Sequence, residues 1–127
     1  MPTREPRGLT RVNHAQSTEM SLLAGDPVLA EIVHRLVDAY QPERIYLFGS
    51  VARGEAGPDS DYDLLVVVPD DAPPERKQSR LAYEVLWGTA TAVDVVVCRH
   101  SYFEERRHLK ASLPGTVLRE GKLLHAA

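Results

Sequence analysis

The sequence predicts a mixed α/β domain with a small mixed sheet of three or four strands flanked by helices. Residues 45–48, 61–68 and 92–98 are rich in β-branched and aromatic residues and bounded by Gly, Pro or polar residues, which is typical of buried strands. Segments between them repeat apolar residues at helical spacing. The length of 127 residues suits one domain with its own core and leaves no room for a separate substrate domain.

The N-terminal part divides into an arm and a helix. Residues 1–24 have little periodicity and predict a flexible arm, so the single domain is expected to span 25–127. Asp26 followed by Pro27 is typical of an N-cap with Pro at the first helical position. A core-facing stripe follows up to Gln41 and consists of Val28, Leu29, Ile32, Val33, Leu36, Val37 and Tyr40.

The first strand runs into Gly49 and Ser50. A small, flexible pair between a strand and a short helical stretch allows backbone N–H groups and a hydroxyl to approach phosphate oxygens closely. Arg53 follows about one helical turn after Ser50, where its guanidinium is placed to hold a phosphate or to brace the loop. This turn is therefore a candidate phosphate-binding loop.

Asp61 and Asp63 flank Tyr62 at the start of the second strand. Because successive side chains on a strand point to opposite faces, we expect the two carboxylates to project together, with Tyr62 facing away. Two adjacent negative charges need neutralisation, which a hard divalent cation with oxygen ligands provides. An Asp-x-Asp also occurs in turns and helix caps. The preceding strand, Gly-Ser turn and polar segment ending at 58–60 favour a Mg²⁺ site.

Asp94 is the single charged residue in the apolar segment 92–98. A charge within such a strand is unfavourable unless it is paired, coordinates an ion or lies at the exposed end. Asp94 is therefore either a third metal ligand or a solvated residue at a strand start. Three acidic residues on two neighbouring strands match the requirements of two-metal nucleotidyl transfer, which favours the first interpretation.

Segments 49–54 and 60–64, together with Asp94, resemble the signature of the DNA polymerase β-like nucleotidyltransferase superfamily. That signature is a Gly-Ser pair, an Asp-x-Asp at a set distance, and a third Asp on a later strand. The residues of segments 49–54 and 60–64 are similar to those of the minimal nucleotidyltransferases (MNT proteins), which are commonly encoded beside a HEPN-domain partner. The resemblance covers roughly residues 27–125 and implies the polymerase β-like nucleotidyltransferase fold.

The resemblance also implies a reaction. A nucleoside monophosphate, AMP from ATP, would be transferred to an acceptor hydroxyl with two Mg²⁺ ions as cofactors. The implied catalytic and metal-binding residues are Asp61, Asp63 and Asp94, and the implied nucleotide-binding residues are Gly49, Ser50 and Arg53. Asp94 would in addition accept the proton of the acceptor.

Three interpretations of the acceptor remain open. The MNT resemblance implies an antitoxin that adenylylates a Tyr of a partner HEPN-type toxin in a toxin–antitoxin system. The second interpretation is a small-molecule enzyme similar to aminoglycoside nucleotidyltransferases, and the third is a non-catalytic antitoxin that binds and occludes its partner. A homo-oligomer and a hetero-oligomer are both compatible with the sequence.

Composition narrows the class of protein. The net charge of −3 and a pI near 5.9 argue against a generally basic nucleic-acid binder, so no direct nucleic-acid contact is expected. Cys98 is the only cysteine, which excludes an intrachain disulfide, and its place in a strand predicts a packed thiol. No signal peptide or membrane-spanning apolar run is present, so we expect no membrane association and a cytoplasmic location.

The remaining patterns concern the C-terminal half. The spacing predicts a crossover helix over about 75–87. Tyr83 and Trp87 are predicted to pack in the core or at an interface, and stacking on a nucleotide base is the less favoured alternative. Residues 101–104 resemble a capping box that opens a helix to about 111, with a break at 113–115. A short strand or a docking segment is predicted at 122–124. Two clusters of basic residues are expected to be solvated, and contact with a triphosphate or a partner is the alternative. The first cluster is Arg76, Lys77 and Arg80, and the second is Arg99, Arg106, Arg107 and Lys110.

Overall fold

The computed structural model describes residues 23–55, 61–89 and 92–127. These residues form a four-stranded mixed sheet flanked by five α-helices, which confirms the predicted fold class. The helices are α1 (Pro27–Tyr40), α2 (Gly49–Ala52), α3 (Arg80–Val85), α4 (His100–Arg106) and α5 (Leu113–Glu120), with a 3₁₀ helix at Pro74–Lys77. The strands are β1 (Arg44–Phe48), β2 (Tyr62–Val68), β3 (Val93–Arg99) and β4 (Lys122–Ala126).

Two predictions fall largely or wholly outside the described residues. These are the N-terminal arm, of which only the last two positions are described, and the polar turn at 58–60. Within the described ranges, no helix has both the length and the apolar character needed to cross a membrane.

The strand order β3-β2-β1-β4 determines where the predicted site residues meet. β1 is antiparallel to β2 and to β4, whereas β2 and β3 are parallel and are joined by a crossover containing the 3₁₀ helix and α3. The C-terminal end of β1 therefore lies beside the N-terminal starts of β2 and β3. In the register, Phe48 pairs with Asp63, and Asp63 pairs with Asp94.

Each face of the sheet has its own apolar core. On one face, β2 and β3 residues such as Leu64 and Val95 pack with α1 and α3. On the other face, Leu65 of β2 packs with Phe103 of α4 and Val117 of α5. The predicted stripe of α1 is buried at Leu29, Ile32, Val33, Leu36 and Tyr40, whereas the prediction is wrong for Val28, which is 43% exposed.

The N-terminus of α1 agrees with the sequence. The Oδ1 atom of Asp26 accepts a hydrogen bond of 3.0 Å from the backbone N–H of Leu29, and Pro27 occupies the first helical position. Pro is favoured there because its missing N–H has no partner in the first turn of a helix. The predicted N-cap is therefore confirmed.

The single crossover helix predicted over 75–87 is wrong, because the segment is divided at Gln78 and Ser79. The hydroxyl of Tyr40 donates to the carbonyl of Gln78 at 2.5 Å and accepts from the N–H of Ala82 at 2.9 Å. In an unbroken helix, the N–H of Ala82 would donate directly to the carbonyl of Gln78. A buried hydroxyl from α1 takes the place of that bond and leaves Gln78 extended.

The predicted capping box at Ser101 is also wrong. α4 begins at His100 and ends at Arg106, and the N–H of Ser101 donates to Oδ1 of Asp70 at 2.9 Å. The cap is supplied by the loop after β2, which local sequence does not reveal. Residues 113–115 open α5 instead of only ending the preceding helix, because the hydroxyl of Ser112 accepts from the N–H of Gly115 at 3.0 Å.

Candidate active site

The site is organised around Gly49 at the end of β1. Gly49 has φ +77°, in the left-handed region that favours glycine, and a Cβ built there would lie within 3.0 Å of Oδ2 of Asp63. The carboxylate of Asp63 thus rests against the Cα of Gly49. Both the backbone angle and the neighbouring carboxylate exclude a side chain at this position.

Ser50 follows Gly49 in the candidate phosphate-binding loop. It lies half-buried in the first turn of α2, and its carbonyl accepts a hydrogen bond of 2.9 Å from the N–H of Glu55. The N–H of Arg53 donates to the carbonyl of Gly49 at 3.2 Å. These backbone bonds close the loop on itself beside the carboxylate of Asp63.

The carboxylates of Asp63 and Asp94 are placed by neighbouring strands. The two residues are register partners on parallel strands, whose backbones lie about 4.8 Å apart. Asp61 precedes β2 and is exposed. Burial raises the pKa of Asp63, the charges of Asp94 and Asp61 raise it further, and Arg53 acts in the opposite direction. The three carboxylates therefore share one electrostatic environment, in which the negative charge of Asp63 is disfavoured.

The fit of this site to a metal ion depends on the donor chemistry. In the part of the chain that the structure describes, no three His, Cys, Asp or Glu side chains are grouped closely enough to hold an ion as they stand. The candidate donors are nonetheless all carboxylates, the ligands that Mg²⁺ prefers, and a cation would relieve the repulsion acting on Asp63. Asp61, Asp63 and Asp94 remain predicted metal ligands.

Arg53 is exposed and already engaged by carboxylates. Its Nε donates to Oε1 of Glu55 at 2.9 Å, and its Nη1 lies 3.7 Å from Oε1 of Glu120. Its positive charge nevertheless acts to lower the pKa of Asp63. A phosphate would have to compete with two Glu side chains for this guanidinium, so its nucleotide-binding role stays a prediction.

Comparison with known proteins decides the family. The profile of the nucleotidyltransferase domain matches residues 29–123, which is most of the chain. The chain belongs to this family. It is a nucleotidyltransferase, and the resemblance carried by the Gly-Ser and Asp-x-Asp motifs is confirmed at the level of family and fold. A search of curated proteins found no significant match.

Solved structures with the same fold include toxin–antitoxin complexes. A crystal structure of a toxin–antitoxin with AMP-PNP is 25% identical, with a TM-score of 0.52 over 76% of this nucleotidyltransferase and 73% of that chain. A variant of the toxin–antitoxin MntA-HpeT carrying a Tyr-to-Ala change is also 25% identical, with a TM-score of 0.52 over 77% of this chain and 72% of the other.

The structure also reveals a contact behind the site that the sequence does not indicate. The hydroxyl of Tyr62 donates to Oδ2 of Asp26, whose other oxygen caps α1. Burial and this hydrogen bond raise the pKa of Tyr62 to about 12. The middle residue of the Asp-Tyr-Asp motif in this nucleotidyltransferase is thus tied to the start of α1. Each residue belongs to a recognisable local motif, but nothing local in the sequence pairs them.

Other candidate residues lie apart from the carboxylates. Trp87 is 86% exposed and Tyr83 is 55% exposed, so neither residue fills the core, and the predicted role at an interface stays a prediction. Burial raises the pKa of the Cys98 thiol to about 11, as expected for a packed cysteine. Several basic side chains pair with neighbouring Glu residues at the surface, namely Arg80, Arg106 and Arg107.

Proposed function

We propose that this nucleotidyltransferase transfers AMP from ATP to the hydroxyl of a Tyr on a partner toxin of the HEPN type, and so acts as its antitoxin. The observation that carries the proposal is the apposition of Gly49 and Asp63, which joins the candidate phosphate loop to the candidate metal ligands. The toxin–antitoxin neighbours, one of them with AMP-PNP, support an adenine nucleotide as donor and a toxin as partner. The HEPN type and the Tyr acceptor rest on the MNT resemblance.

Each predicted residue has a role in this reaction. Gly49, Ser50 and Arg53 hold the triphosphate, and the carboxylates of Asp61, Asp63 and Asp94 would hold two Mg²⁺ ions. When bound, Mg²⁺ supplies charge neutralisation for the triphosphate and lowers the pKa of the acceptor hydroxyl. The protein contributes chiefly by positioning the reactants and by electrostatic stabilisation.

The chemical step is an in-line displacement at the α-phosphorus of ATP. The hydroxyl oxygen of the acceptor forms a new bond to the α-phosphorus, while the bond from that phosphorus to the oxygen bridging to the β-phosphate breaks. Asp94 accepts the hydroxyl proton, and pyrophosphate leaves with the bridging oxygen. The products are an adenylylated side chain and pyrophosphate.

The decisive experiment uses the chain purified together with the protein encoded beside it. The complex is incubated with Mg²⁺ and ATP labelled at the α-phosphate, and we expect label on the partner. Asp61→Asn or Asp63→Asn should lower the rate by at least about 1000-fold, since each removes a ligand from a two-metal site. Asp38→Asn, on the exposed side of α1, is the matched control.

The other outcomes identify the competing functions. Label on an aminoglycoside instead of the partner identifies a small-molecule enzyme. Neutralisation of the toxin that survives Asp61→Ala identifies occlusion without catalysis. Transfer at the wild-type rate by Asp63→Asn contradicts the proposed roles of the carboxylates.

A further inference from the structure

A cleft of about 510 Å³ lies beside β3, one of the two edge strands of the described sheet. Its floor is apolar and its rim carries positive charge. The lining residues used below are Leu65, Val96, Cys98, Tyr102 and Leu113, with Lys77 and Arg99 at the rim. A mainly apolar depression of this size with a few polar groups is typical of a binding site.

The cleft lies on the same face of the sheet as the candidate active site. Side chains alternate along a strand, so Asp94, Val96 and Cys98 lie on one face of β3, and Asp63 and Leu65 lie on the same face of β2. With a rise of about 3.3 Å per residue, the floor of the cleft begins roughly 7 Å from Asp94 along the strand. A short segment seated in the cleft therefore reaches the carboxylates without rearrangement of the sheet.

The charge of the cleft is opposite to that of the whole chain. The chain has a net charge of −3, yet the cleft is lined by Lys77 and Arg99 and by no carboxylate. Within residues 23–55, 61–89 and 92–127, neither cation lies within ion-pairing distance of a carboxylate, unlike most other basic residues there, although Arg99 is close enough to Asp70 to help lower the pKa of that carboxyl. Unpaired cations beside an apolar floor are complementary to a segment that is both apolar and acidic.

We propose that this cleft binds the acceptor-bearing segment of a partner protein. An apolar side chain of that segment occupies the floor over Val96 and Cys98, acidic side chains face Lys77 and Arg99, and the acceptor hydroxyl lies a few residues away at Asp94. The position of the hydroxyl rests on the proposed function. Binding of the segment does not depend on it, because occupancy of the cleft is measured without ATP.

Cys98 provides the measurement. It is the only cysteine of the chain and lines the cleft, so its rate of reaction with a maleimide at mildly alkaline pH reports whether the cleft is filled. The probe is a short synthetic peptide of Leu, Tyr and Glu residues. We expect the peptide to slow labelling of Cys98, and Lys77→Glu combined with Arg99→Glu to weaken this protection by about tenfold or more, because complementary charges become repulsive.

Two controls separate this effect from general electrostatics. Lys110→Glu combined with Lys122→Glu changes the net charge by the same amount at exposed positions outside the cleft and should leave the protection unchanged. A peptide with Lys in place of Glu should give no protection. Absence of protection by the acidic peptide at millimolar concentration, or equal protection in the charge-reversed protein, overturns the proposal.

The test also distinguishes other occupants and the proposed function itself. If Cys98 is labelled slowly in the protein alone, and the charge-reversed variant is labelled faster, the cleft is already filled. Faster labelling on dilution then identifies a second copy as the occupant, and a rate that does not change on dilution identifies residues 1–22. Either result overturns the proposal. If the peptide still protects Cys98 in Asp63→Asn, the proposal that the cleft binds the segment is supported. If the wild-type protein at the same time transfers no label from ATP, the proposed function is contradicted and the cleft proposal stands.

Discussion

The Cα of Gly49 lies against the carboxylate of Asp63, and this contact leaves no space for a Cβ. Gly49→Ala should therefore lower the free energy of unfolding by about 2–5 kcal/mol, from the positive φ and the overlap together. Gly54 has a similar φ of +74°, but a Cβ at that position would have no neighbouring atom within 4 Å, so Gly54→Ala should show only the backbone part. Urea unfolding of both variants measures the difference.

A double-mutant cycle isolates the overlap. In an Asp63→Ala background, the effect of Gly49→Ala should fall by about 1–3 kcal/mol, to the value for Gly54→Ala, because the atoms that obstruct the new methyl group are gone. Equal losses in both backgrounds would show that the two residues are not in contact.

The ionised carboxylate of Asp63 should lower the free energy of unfolding, although the proposed reaction requires it as a metal ligand. Its pKa is raised, so the folded state binds more protons than the unfolded state between the usual value of 3.8 and the raised value, and stability falls as the pH rises through that window. Asp63→Asn should make the pH dependence flatter and increase stability at neutral pH, measured by urea unfolding from acidic to neutral pH. Under the proposed function we expect MgATP to raise the melting temperature of the wild-type protein, and Asp63→Asn should lose this rise.

Tyr40 is expected to be a major contributor to stability. Tyr40→Phe removes a hydroxyl that bonds both the carbonyl of Gln78 and the N–H of Ala82, and leaves these groups without that partner. We expect a loss of about 2–3 kcal/mol in the free energy of unfolding. Tyr83→Phe, at an exposed position, should change it by less than about 0.5 kcal/mol. Similar losses in the two variants would contradict the bridging role.

Tyr62 should make the fold sensitive to alkaline pH. Its pKa is about 12 in the folded protein against 10.0 for the free side chain, so its stabilising contribution is complete below pH 10 and lost as the pH rises towards 12. Tyr62→Phe should cost about 1 kcal/mol at neutral pH and reduce this alkaline loss, both measured by urea unfolding across that pH range. Asp26→Ala should cost about 1 kcal/mol more, because it also removes the cap of α1.

The features that the sequence predicts well depend on local pattern. The period of α1, the cap at Asp26 and the three apolar strands are each encoded within a few neighbouring residues, and the Gly-Ser and Asp-x-Asp motifs are contiguous. The pairing of Asp63 with Asp94 follows from two strands that are neighbours in the sheet.

The features that the sequence does not predict depend on residues distant along the chain. The crossover helix is interrupted by the hydroxyl of Tyr40, 38 positions before Gln78, and α4 is capped by Asp70 from an earlier loop. The contact between Tyr62 and Asp26 joins positions 36 apart. Trp87 is exposed and lies beyond the end of α3 at Val85, an end that helical spacing alone does not determine.

The strand register also has a consequence for how the molecule folds. Phe48 and Asp63 pair across a hairpin between consecutive strands, whereas Arg44 pairs with Ala126 at the other side of the same strand. Short loops close faster than long ones, because less chain entropy is lost before contacts form. We therefore expect the β1–β2 hairpin, which carries the Gly49 turn, Asp61 and Asp63, to form early in folding. The crossover, β3 with Asp94, and β4 then join a folding nucleus that already contains part of the active site.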